Sequence, residues 1–348
     1  MMGLFEEKLK ASLNRFNVRY LDFIKNYIDV NSTENCIILD DGKILIQPEH
    51  CQNYIDFEIF NRKKNYRGYF RSINKILPRG GLFIGCFESY LQRYLRIKKE
   101  HNGIVANILY LLDFIFNRVV PKLFITSWVY RRFFQPKNKA ISKTEVLGRL
   151  YHSGFEVVDL KDSDEYLFVV ARKVSDALSD KEPRYGIFYT MKRVGKGGKE
   201  IKVLKLRTMN PFAEFLQEYI YEKYNLKEGG KFNNDFRIPK WGMWLRKYWI
   251  DEIPMIINLI KGDIKLVGVR PLSRHYFELY PSDLKEMRTK YKPGLVPPFY
   301  ADMPKKLEEI FASERRYFEL YEQHPCRTDT KYLFKALYNI FFRKARSS

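Results

Sequence analysis

The sequence predicts an α+β protein of two domains, and three observations support this prediction. The chain has 348 residues, 45% of them hydrophobic, so it can bury two cores and is too apolar for a disordered basic tail. Short strand-like runs alternate with amphipathic helical patterns in both halves. Pro183 and Gly186 interrupt these patterns and mark a boundary. We therefore predict domains at residues 1–182 and 183–348.

Residues 72–85, SINKILPRGGLFIG, predict the end of a helix, a turn and a short buried strand. Further along, Ser142 caps a helix with Glu145 at the capping-box position, and Gly154 leads into two strands around a turn at 161–164. This order of elements, over about 73–173, resembles the later half of class I methyltransferase domains.

The methyltransferase resemblance implies a glycine-rich turn after the first strand, where backbone approaches the cofactor closely. The first 67 residues contain only Gly3 and Gly42, so this turn is missing. We therefore predict a truncated, degenerate methyltransferase-like α/β domain that serves as a scaffold or a partner surface.

An apolar insertion at about 104–134 interrupts the amino-terminal domain. Charged residues and a proline between 113 and 122 break it, so it does not have the uncharged length of a membrane-spanning helix. Two interpretations stay open. The insertion associates with a membrane, with Trp128 and Tyr130 at headgroup depth, or it is a buried core helix followed by a turn.

The formal charge of +21 is concentrated in the carboxyl-terminal half. Residues 183–348 carry 33 Lys+Arg against 19 Asp+Glu, or +14, and residues 191–209 are the densest stretch. Such a density fits acidic lipid, nucleic acid or a polyphosphate substrate, and a solvated cationic face also explains it. We expect no nucleic-acid partner, because no recognised nucleic-acid module is present. The four scattered cysteines predict neither a zinc site nor disulfides.

The second half predicts further elements in order. A strand over 201–209 is followed by a helix for which Asn210 supplies the N-cap and Pro211 the first-turn proline. Helical patterns flank Trp249, and a short apolar strand at 264–267 precedes Arg270. The helix after Pro211 is expected to pack the apolar side chains of Phe212, Phe215, Leu216, Tyr219 and Ile220.

Two basic clusters could bind phosphate. In RVGKGGK, 193–199, three glycines let backbone N–H groups approach an anion that the flanking cations neutralise. Lys205 and Arg207 lie on one face of the predicted strand and could bind a diphosphate. Each cluster alone fits an exposed turn or strand face equally well.

An acidic pair, Asp251 and Glu252, precedes an apolar helical run. Asp251 is placed as the helix N-cap with Pro254 in the first turn, and the helix dipole would favour its carboxylate. A second acid beside a cap fits that role less well, since repulsion opposes ionising both unless cations or a metal stand opposite. The strand that follows would deliver Arg270 to its end.

Together, RVGKGGKEIKVLKLRTM and DFRIPKWGMWLRKYWIDEIPMIINLIKGDIKLVGVRP resemble the bacterial sugar transferases over 186–294. These are monotopic polyprenyl-phosphate phosphoglycosyl transferases that begin capsule, exopolysaccharide and O-antigen assembly. The resemblance implies a nucleotide sugar, usually a UDP-sugar, and polyprenyl (undecaprenyl) phosphate as substrates, with Mg²⁺ as cofactor. It also implies contact with inner-membrane lipid at the cytoplasmic face, peripheral or re-entrant. Homo-oligomerisation stays open.

The resemblance also assigns roles to residues. Asp251 is the nucleophile that forms an aspartyl-phosphosugar intermediate, and Glu252 is its acidic partner, with both as metal ligands. The implied phosphate- and nucleotide-binding residues are Arg193, Lys199, Lys205, Arg207, Arg237, Arg246 and Arg270, and Asp235 and Asp263 match other polar motif positions. The alternative function is a catalytically inactive membrane scaffold of a polysaccharide assembly system.

The chain departs from the family pattern at three places. Val269 replaces the family's proline in VGVRP, and YKPGLVPPFY, 291–300, replaces the proline-glycine segment that usually follows. We expect any change in the recognition of acceptor or nucleotide to arise at these two places. The apolar helix that normally lies directly before the catalytic domain is displaced upstream, to 104–134. Basic aromatic helices predicted near the carboxyl end, from Leu307 onward, rest on anionic lipid or pack against the core.

Overall fold

The computed structural model describes residues 19–29, 32, 34–38, 44–46, 50–63, 66, 68–120, 139–163, 165–179, 181–224 and 235–342. The chain forms two compact units. The first unit comprises Met1–Tyr185 and Asn210–Arg237, and the second comprises Gly186–Met209 and Ile238–Ser348. The sequence prediction placed 210–237 in the carboxyl-terminal domain, whereas in the structure this segment packs with the first unit.

A six-stranded sheet forms the centre of the first unit. Its strands are β1 (Asn35–Ile38), β2 (Ile44–Ile46), β3 (Asn53–Asp56), β4 (Leu82–Phe87), β5 (Phe155–Asp162) and β6 (Leu167–Lys173). The order is β2-β1-β3-β4-β6-β5, with β1, β3 and β4 parallel and β6 antiparallel to both of its neighbours. Strands β4 and β6 are buried along nearly their whole length, because apolar clusters cover both faces of the sheet.

The helices of the first unit begin where local sequence favours them. They are α1 (Arg19–Lys25), α2 (Tyr69–Ile76), α3 (Tyr90–Glu100), α4 (Gly103–Phe114), α5 (Lys143–His152) and α6 (Gln217–Tyr224). The Ser142 hydroxyl accepts a hydrogen bond from the Glu145 N–H at 3.1 Å, which confirms the predicted cap of α5. The predicted strand after the Pro-Arg-Gly-Gly turn and the strand pair after Gly154 are also confirmed, as β4, β5 and β6.

Helix α4 carries the start of the apolar insertion and presents most of it to solvent. Of its residues only Ala106 is buried. Its exposed apolar side chains are Ile104, Val105, Ile108, Leu111 and Leu112, followed by Ile115 and Phe116 in a π-helical turn, Ile115–Val119. The core-helix interpretation is therefore wrong for 104–118, and Trp128, Tyr130 and the rest of 121–134 lie outside the described residues. None of the described helices has the length and apolarity needed to cross a membrane.

The segment after Asn210 differs from the prediction. Phe212 adopts a left-handed conformation, φ 64°, and a 3₁₀ turn, Ala213–Leu216, precedes α6. The helix therefore does not begin at an Asn210 cap. The reason is packing against α5, where Gly148 approaches so closely that a Cβ there would lie 2.3 Å from the Phe212 carbonyl oxygen. The expected burial of Leu216, Tyr219 and Ile220 is confirmed, since all three join the first unit's core.

The second unit combines two small sheets with helices. Its strands are β7 (Phe188–Val194), β8 (Glu200–Leu206), β9 (Lys265–Val267) and β10 (Gly294–Val296), and its helices are α7 (Lys240–Lys247), α8 (Met255–Ile260), α9 (Arg274–Glu278), α10 (Ser282–Lys290), α11 (Pro298–Asp302), α12 (Leu307–Gln323) and α13 (Pro325–Phe341). Strands β7 and β8 form an antiparallel hairpin, and β9 and β10 form a parallel pair.

Helices α12 and α13 cover β9 and β10 with an aromatic core. Tyr317 and Tyr332, one from each helix, meet edge to face with ring centroids 5.1 Å apart. The opposite face of α13 leaves Phe334, Tyr338 and Phe341 exposed. Two interpretations were left open for the carboxyl-terminal helices, packing against the core and contact with anionic lipid. One face of α13 packs against the core, and its other face is exposed to solvent.

Candidate active site

A cavity of about 400 Å³ lies within the second unit. Its charged lining residues are Arg193 from β7, Lys205 from β8, Glu252 and Arg270. Three cations and one acid therefore surround a space of the size that commonly holds a small ligand. This arrangement favours an anionic ligand.

The acidic pair lies on a short turn between α7 and α8. Trp249 is left-handed, φ 59°, and the pair occupies the 3₁₀ turn Ile250–Glu252. Helix α8 begins only at Met255, with Pro254 at its N-cap, so the predicted N-cap role of Asp251 is wrong. The Trp249 ring packs 4.3 Å from the Tyr300 ring, centroid to centroid, and this contact accompanies the reversal of the chain before the acids.

Glu252 is the acid that faces the cavity. Its Oε1 lies 2.6 Å from Lys205 Nζ and 3.7 Å from Arg270 Nη2. The Glu252 side chain is 13% exposed and that of Arg270 is 45% exposed, so the cluster is shielded on one side and open on the other. The structure thus brings together three of the residues named from the sequence, Glu252, Lys205 and Arg270.

Asp251 is buried, with 8% of its surface exposed. Burial raises the pKa of this carboxyl, the positive charge of Lys205 lowers it, and the neighbouring Glu252 raises it again, with Arg246 lowering it. The net direction is upward. Asp251 therefore lies within the field of two of the predicted cations, Lys205 and Arg246, but it is not among the residues that line the cavity.

The other predicted residues of the second unit have different surroundings. Arg246 donates through Nε to the Thr208 hydroxyl at 2.8 Å. Arg207 donates to the Gly186 carbonyl at 3.0 Å, and Asp263 accepts from the Asn258 amide at 3.0 Å.

Lys199 is exposed beside the β7–β8 turn. None of the four residues Lys199, Arg207, Arg246 and Asp263 lines the cavity described here.

Asp235 and Arg237 belong to the first unit. Arg237 donates through Nε and Nη2 to the two Asp235 carboxylate oxygens, each at 2.8 Å, and its side chain is buried. Its carbonyl accepts from the Asn210 N–H at 2.9 Å. This backbone hydrogen bond, and not the local pair of Arg237 with Asp235, connects the two ends of the segment 210–237.

Two residues that were not predicted from the sequence hold the backbone of elements that carry site residues. Asn258 in α8 accepts from the Leu204 N–H at 3.0 Å and donates to the Lys202 carbonyl at 2.7 Å, so it joins the helix after the acids to the strand that carries Lys205. A lone amide in the apolar run Met255–Ile260 was the available signal. Arg288, which bonds the backbone of Arg270, is one arginine on a basic helix and has no local signature.

Comparison with known proteins gives a family and partial relatives. The model of the family described as bacterial sugar transferase matches residues 167–343. The chain is similar to the exopolysaccharide production protein ExoY of Sinorhizobium fredii, 36% identical over 116 residues, which are 31% of this chain and 50% of that protein. It is also similar to the UDP-galactose-lipid carrier transferase of Erwinia amylovora, 33% identical over 112 residues, 31% of this chain and 23% of that protein.

The chain thus spans about half, or less, of the length of these relatives. One solved structure, the Thermus thermophilus 16S rRNA N2 G1207 methyltransferase RsmC in complex with AdoMet and guanosine, is 11% identical and covers 51% of this chain and 35% of its own. Its TM-score is 0.17, which is too low to indicate a shared fold.

Proposed function

Because the chain belongs to the bacterial sugar transferase family, we propose that its second unit transfers a sugar 1-phosphate from a nucleoside diphosphate sugar, in the first instance a UDP-sugar, to polyprenyl phosphate. The observation that carries the proposal is the cavity lined by Arg193, Lys205, Arg270 and Glu252, in which Lys205 and Arg270 contact Glu252, the residue that follows Asp251 in the chain. The name of the Erwinia amylovora relative, a UDP-galactose-lipid carrier transferase, supports the same class of donor and acceptor.

The proposed chemistry has two balanced steps. An Asp251 carboxylate oxygen attacks the phosphorus that bears the sugar, the bond from this phosphorus to the bridging oxygen breaks, and UMP leaves with that oxygen. A phosphate oxygen of polyprenyl phosphate then attacks the same phosphorus, and the aspartyl bond breaks to return the carboxylate. Two steps allow one site to serve a soluble donor and a lipid acceptor in turn.

The cations of the cavity can reduce the repulsion between the attacking carboxylate and the anionic diphosphate. A carboxylate is a weak nucleophile toward an anionic phosphorus, so repulsion must be reduced and both groups held in line. Lys205 and Arg270 already contact Glu252 and can move to diphosphate oxygens without leaving the cavity. Arg193, half-buried in the same wall, adds a third charge.

The donor set is compatible with the Mg²⁺ that the family implies. Within the described ranges, no three His, Cys, Asp or Glu side chains are grouped as metal ligands. Mg²⁺ commonly takes one or two carboxylates, substrate phosphates and water, so Glu252 and Asp251 are sufficient protein ligands. When bound, the ion would neutralise charge on the diphosphate.

We propose that the protein lies at the cytoplasmic face of the inner membrane, and the exposed apolar face of α4 supports its contact with lipid. Two ion pairs fix this helix to the first unit, Arg93 to Asp113 at 2.7 Å and Arg118 to Glu145 at 2.7 Å. The apolar side chains of α4 are therefore presented outward by a firmly anchored helix. Such a face is suited to lie in the lipid interface, and we propose a peripheral or re-entrant association with the membrane.

The first unit is proposed as a degenerate methyltransferase-like scaffold. Its helix α2, strand β4, helix α5 and strands β5 and β6 follow in the order that the sequence resemblance implies. With only Gly3 and Gly42 in the first 67 residues, it has no glycine-rich turn for a cofactor. We therefore expect the unit to bind no S-adenosylmethionine, which equilibrium dialysis with labelled cofactor would test.

The decisive experiment measures UMP release from a panel of UDP-sugars, with Mg²⁺ and undecaprenyl phosphate supplied. We expect Asp251→Asn to abolish both UMP release and the covalent phosphosugar adduct seen by intact-protein mass spectrometry. Asp283→Asn, which removes an exposed acid paired with Arg315 in the same unit, is the matched control and should retain activity. Wild-type rates in Asp251→Asn would exclude this residue as the nucleophile.

The rival function, an inactive assembly scaffold, makes the opposite prediction for the wild-type protein. It expects no UMP from any nucleotide sugar, even with lipid phosphate and Mg²⁺ present. The three cations that line the cavity together with Glu252 favour the enzyme.

A further inference from the structure

Arg288 connects the buried side of the second unit to the candidate active site. It lies near the end of α10 and is only 6% exposed. Its Nη2 donates to the backbone carbonyl of Arg270, and its Nη1 donates to the Glu314 carboxylate on α12. One guanidinium therefore joins two helices to the residue that contributes a cation to the cavity.

The position of the Arg288 guanidinium is fixed from several directions. Glu314 is buried as well, at 6% exposed, and the Tyr280 ring lies 4.7 Å from the guanidinium carbon. A buried arginine with a carboxylate, a carbonyl and an aromatic ring as neighbours has little freedom to change rotamer. Its hold on the Arg270 carbonyl is correspondingly rigid.

The backbone at Arg270 needs such support because strand β9 ends at Val267 and Arg270 lies beyond the β9–β10 pairing. The Val269 carbonyl still accepts from the Gly294 N–H at 2.9 Å, but the next residue after Arg270 is Pro271, which has no N–H to donate. The Arg270 side chain is itself 45% exposed. The direction in which it leaves the backbone therefore depends on how the main chain is held at this point.

We propose that Arg288, with Glu314, is a positioning residue that sets the backbone of Arg270 so that its guanidinium faces Glu252 and the diphosphate of the substrate. This inference rests on the proposed function, because it assigns Arg270 to substrate diphosphate. Arg288 itself contacts no substrate. Its effect on binding passes entirely through Arg270.

A double-mutant cycle on diphosphate binding tests this coupling. The affinity of the full chain for inorganic diphosphate with Mg²⁺ would be measured by calorimetry for wild type, Arg288→Lys, Arg270→Lys and the double variant. Lysine keeps the charge opposite Glu314 but has no second arm to reach the Arg270 carbonyl at the same time. We expect each single change to weaken binding about tenfold and the double change to weaken it no further than Arg270→Lys alone.

A matched control lies on the same two helices. Arg315 on α12 binds Asp283 on α10 at the surface, so Arg315→Lys alters an α10–α12 ion pair that does not reach Arg270. It should leave diphosphate affinity unchanged. If Arg288→Lys lowers the melting temperature so far that binding cannot be read, Glu314→Gln, which keeps the shape of the side chain, is measured in its place with the same expectation.

The outcomes distinguish a failure of the proposed function from a failure of the positioning role of Arg288. Wild-type protein that binds no diphosphate would overturn the proposed function itself. Wild-type protein that binds diphosphate, with Arg288→Lys binding equally well or with effects that add to those of Arg270→Lys, would overturn the positioning role alone. A loss of thermal stability without a change in affinity would likewise show that Arg288 is only structural.

Discussion

At the scale of single residues, Asp251 has the protonation behaviour that matters most. Burial raises the pKa of its carboxyl above the ordinary 3.8, although Lys205 opposes the shift. The carboxylate is the attacking form, so acidification through the raised pKa removes it. We expect single-turnover UMP release to fall as pH falls, with a half-point above 3.8.

Lys205→Met tests whether the pH dependence of UMP release comes from the titration of Asp251. Removing the positive charge that lowers the pKa of Asp251 should move the half-point of the remaining activity to higher pH. A half-point that stays in place or moves to lower pH would contradict the assignment of the titrating group to Asp251.

Asn258 provides a stability prediction at the same scale. Asn258→Leu fits the apolar helix but leaves the Leu204 N–H, the Lys202 carbonyl and Asp263 without their amide partner. We expect a loss of about 2 to 4 kcal/mol in the free energy of unfolding, measured with urea. Ile260→Gln, on the exposed face of the same helix, should change it by less than about 0.5 kcal/mol. Equal effects of the two changes would refute the bracing role of Asn258.

At the scale of elements, the exposed face of α4 predicts how the protein meets lipid. Ile108→Gln with Leu111→Gln removes two exposed apolar side chains, each worth about 1.5 to 3 kcal/mol when fully buried. We expect at least a tenfold loss of co-flotation with vesicles that contain anionic lipid. Leu178→Gln, an exposed leucine elsewhere in the first unit, is the matched control. Unchanged flotation of the α4 variant would show that another surface meets the membrane.

The same scale shows what the sequence could predict. Helix α5 and strands β4, β5 and β6 were predictable because their signals are local, namely a cap, a turn and apolar runs. The turn that carries Asp251 was not. Its left-handed Trp249 packs against Tyr300, about fifty residues away, and no local pattern records that contact. Most cations of the site could be named from motifs, whereas Arg288 acts through backbone and has no motif.

At the scale of the whole molecule, the segment 210–237 determines how the chain can be divided. Leu216, Tyr219 and Ile220 are buried in the core of the first unit. A fragment of residues 1–185 lacks these three side chains. A second fragment keeps them, with a short Gly-Ser linker in place of 186–209 that joins residue 185 to 210–237. We expect the first fragment to have a clearly lower melting temperature than the second. The Tyr185 and Phe212 rings lie 5.0 Å apart, so a short linker suffices.

Circular dichroism on heating measures this difference. Three buried side chains contribute on the order of 5 kcal/mol, enough to separate the two melting curves clearly. Identical curves for the two fragments would mean that 210–237 adds nothing to the first unit.

The chain forms most of the first unit, enters the second unit at Gly186, returns to the first at Asn210 and leaves it again after Arg237. This path affects how the protein folds while a ribosome synthesises it. The nascent chain cannot complete the core of its first unit when residue 185 emerges, because the three apolar side chains that close that core are encoded later. The β7–β8 hairpin is therefore translated before the unit that precedes it is finished. During synthesis the unfinished core stays exposed for the time needed to add residues 186–220, and that interval is when a chaperone would have most to bind.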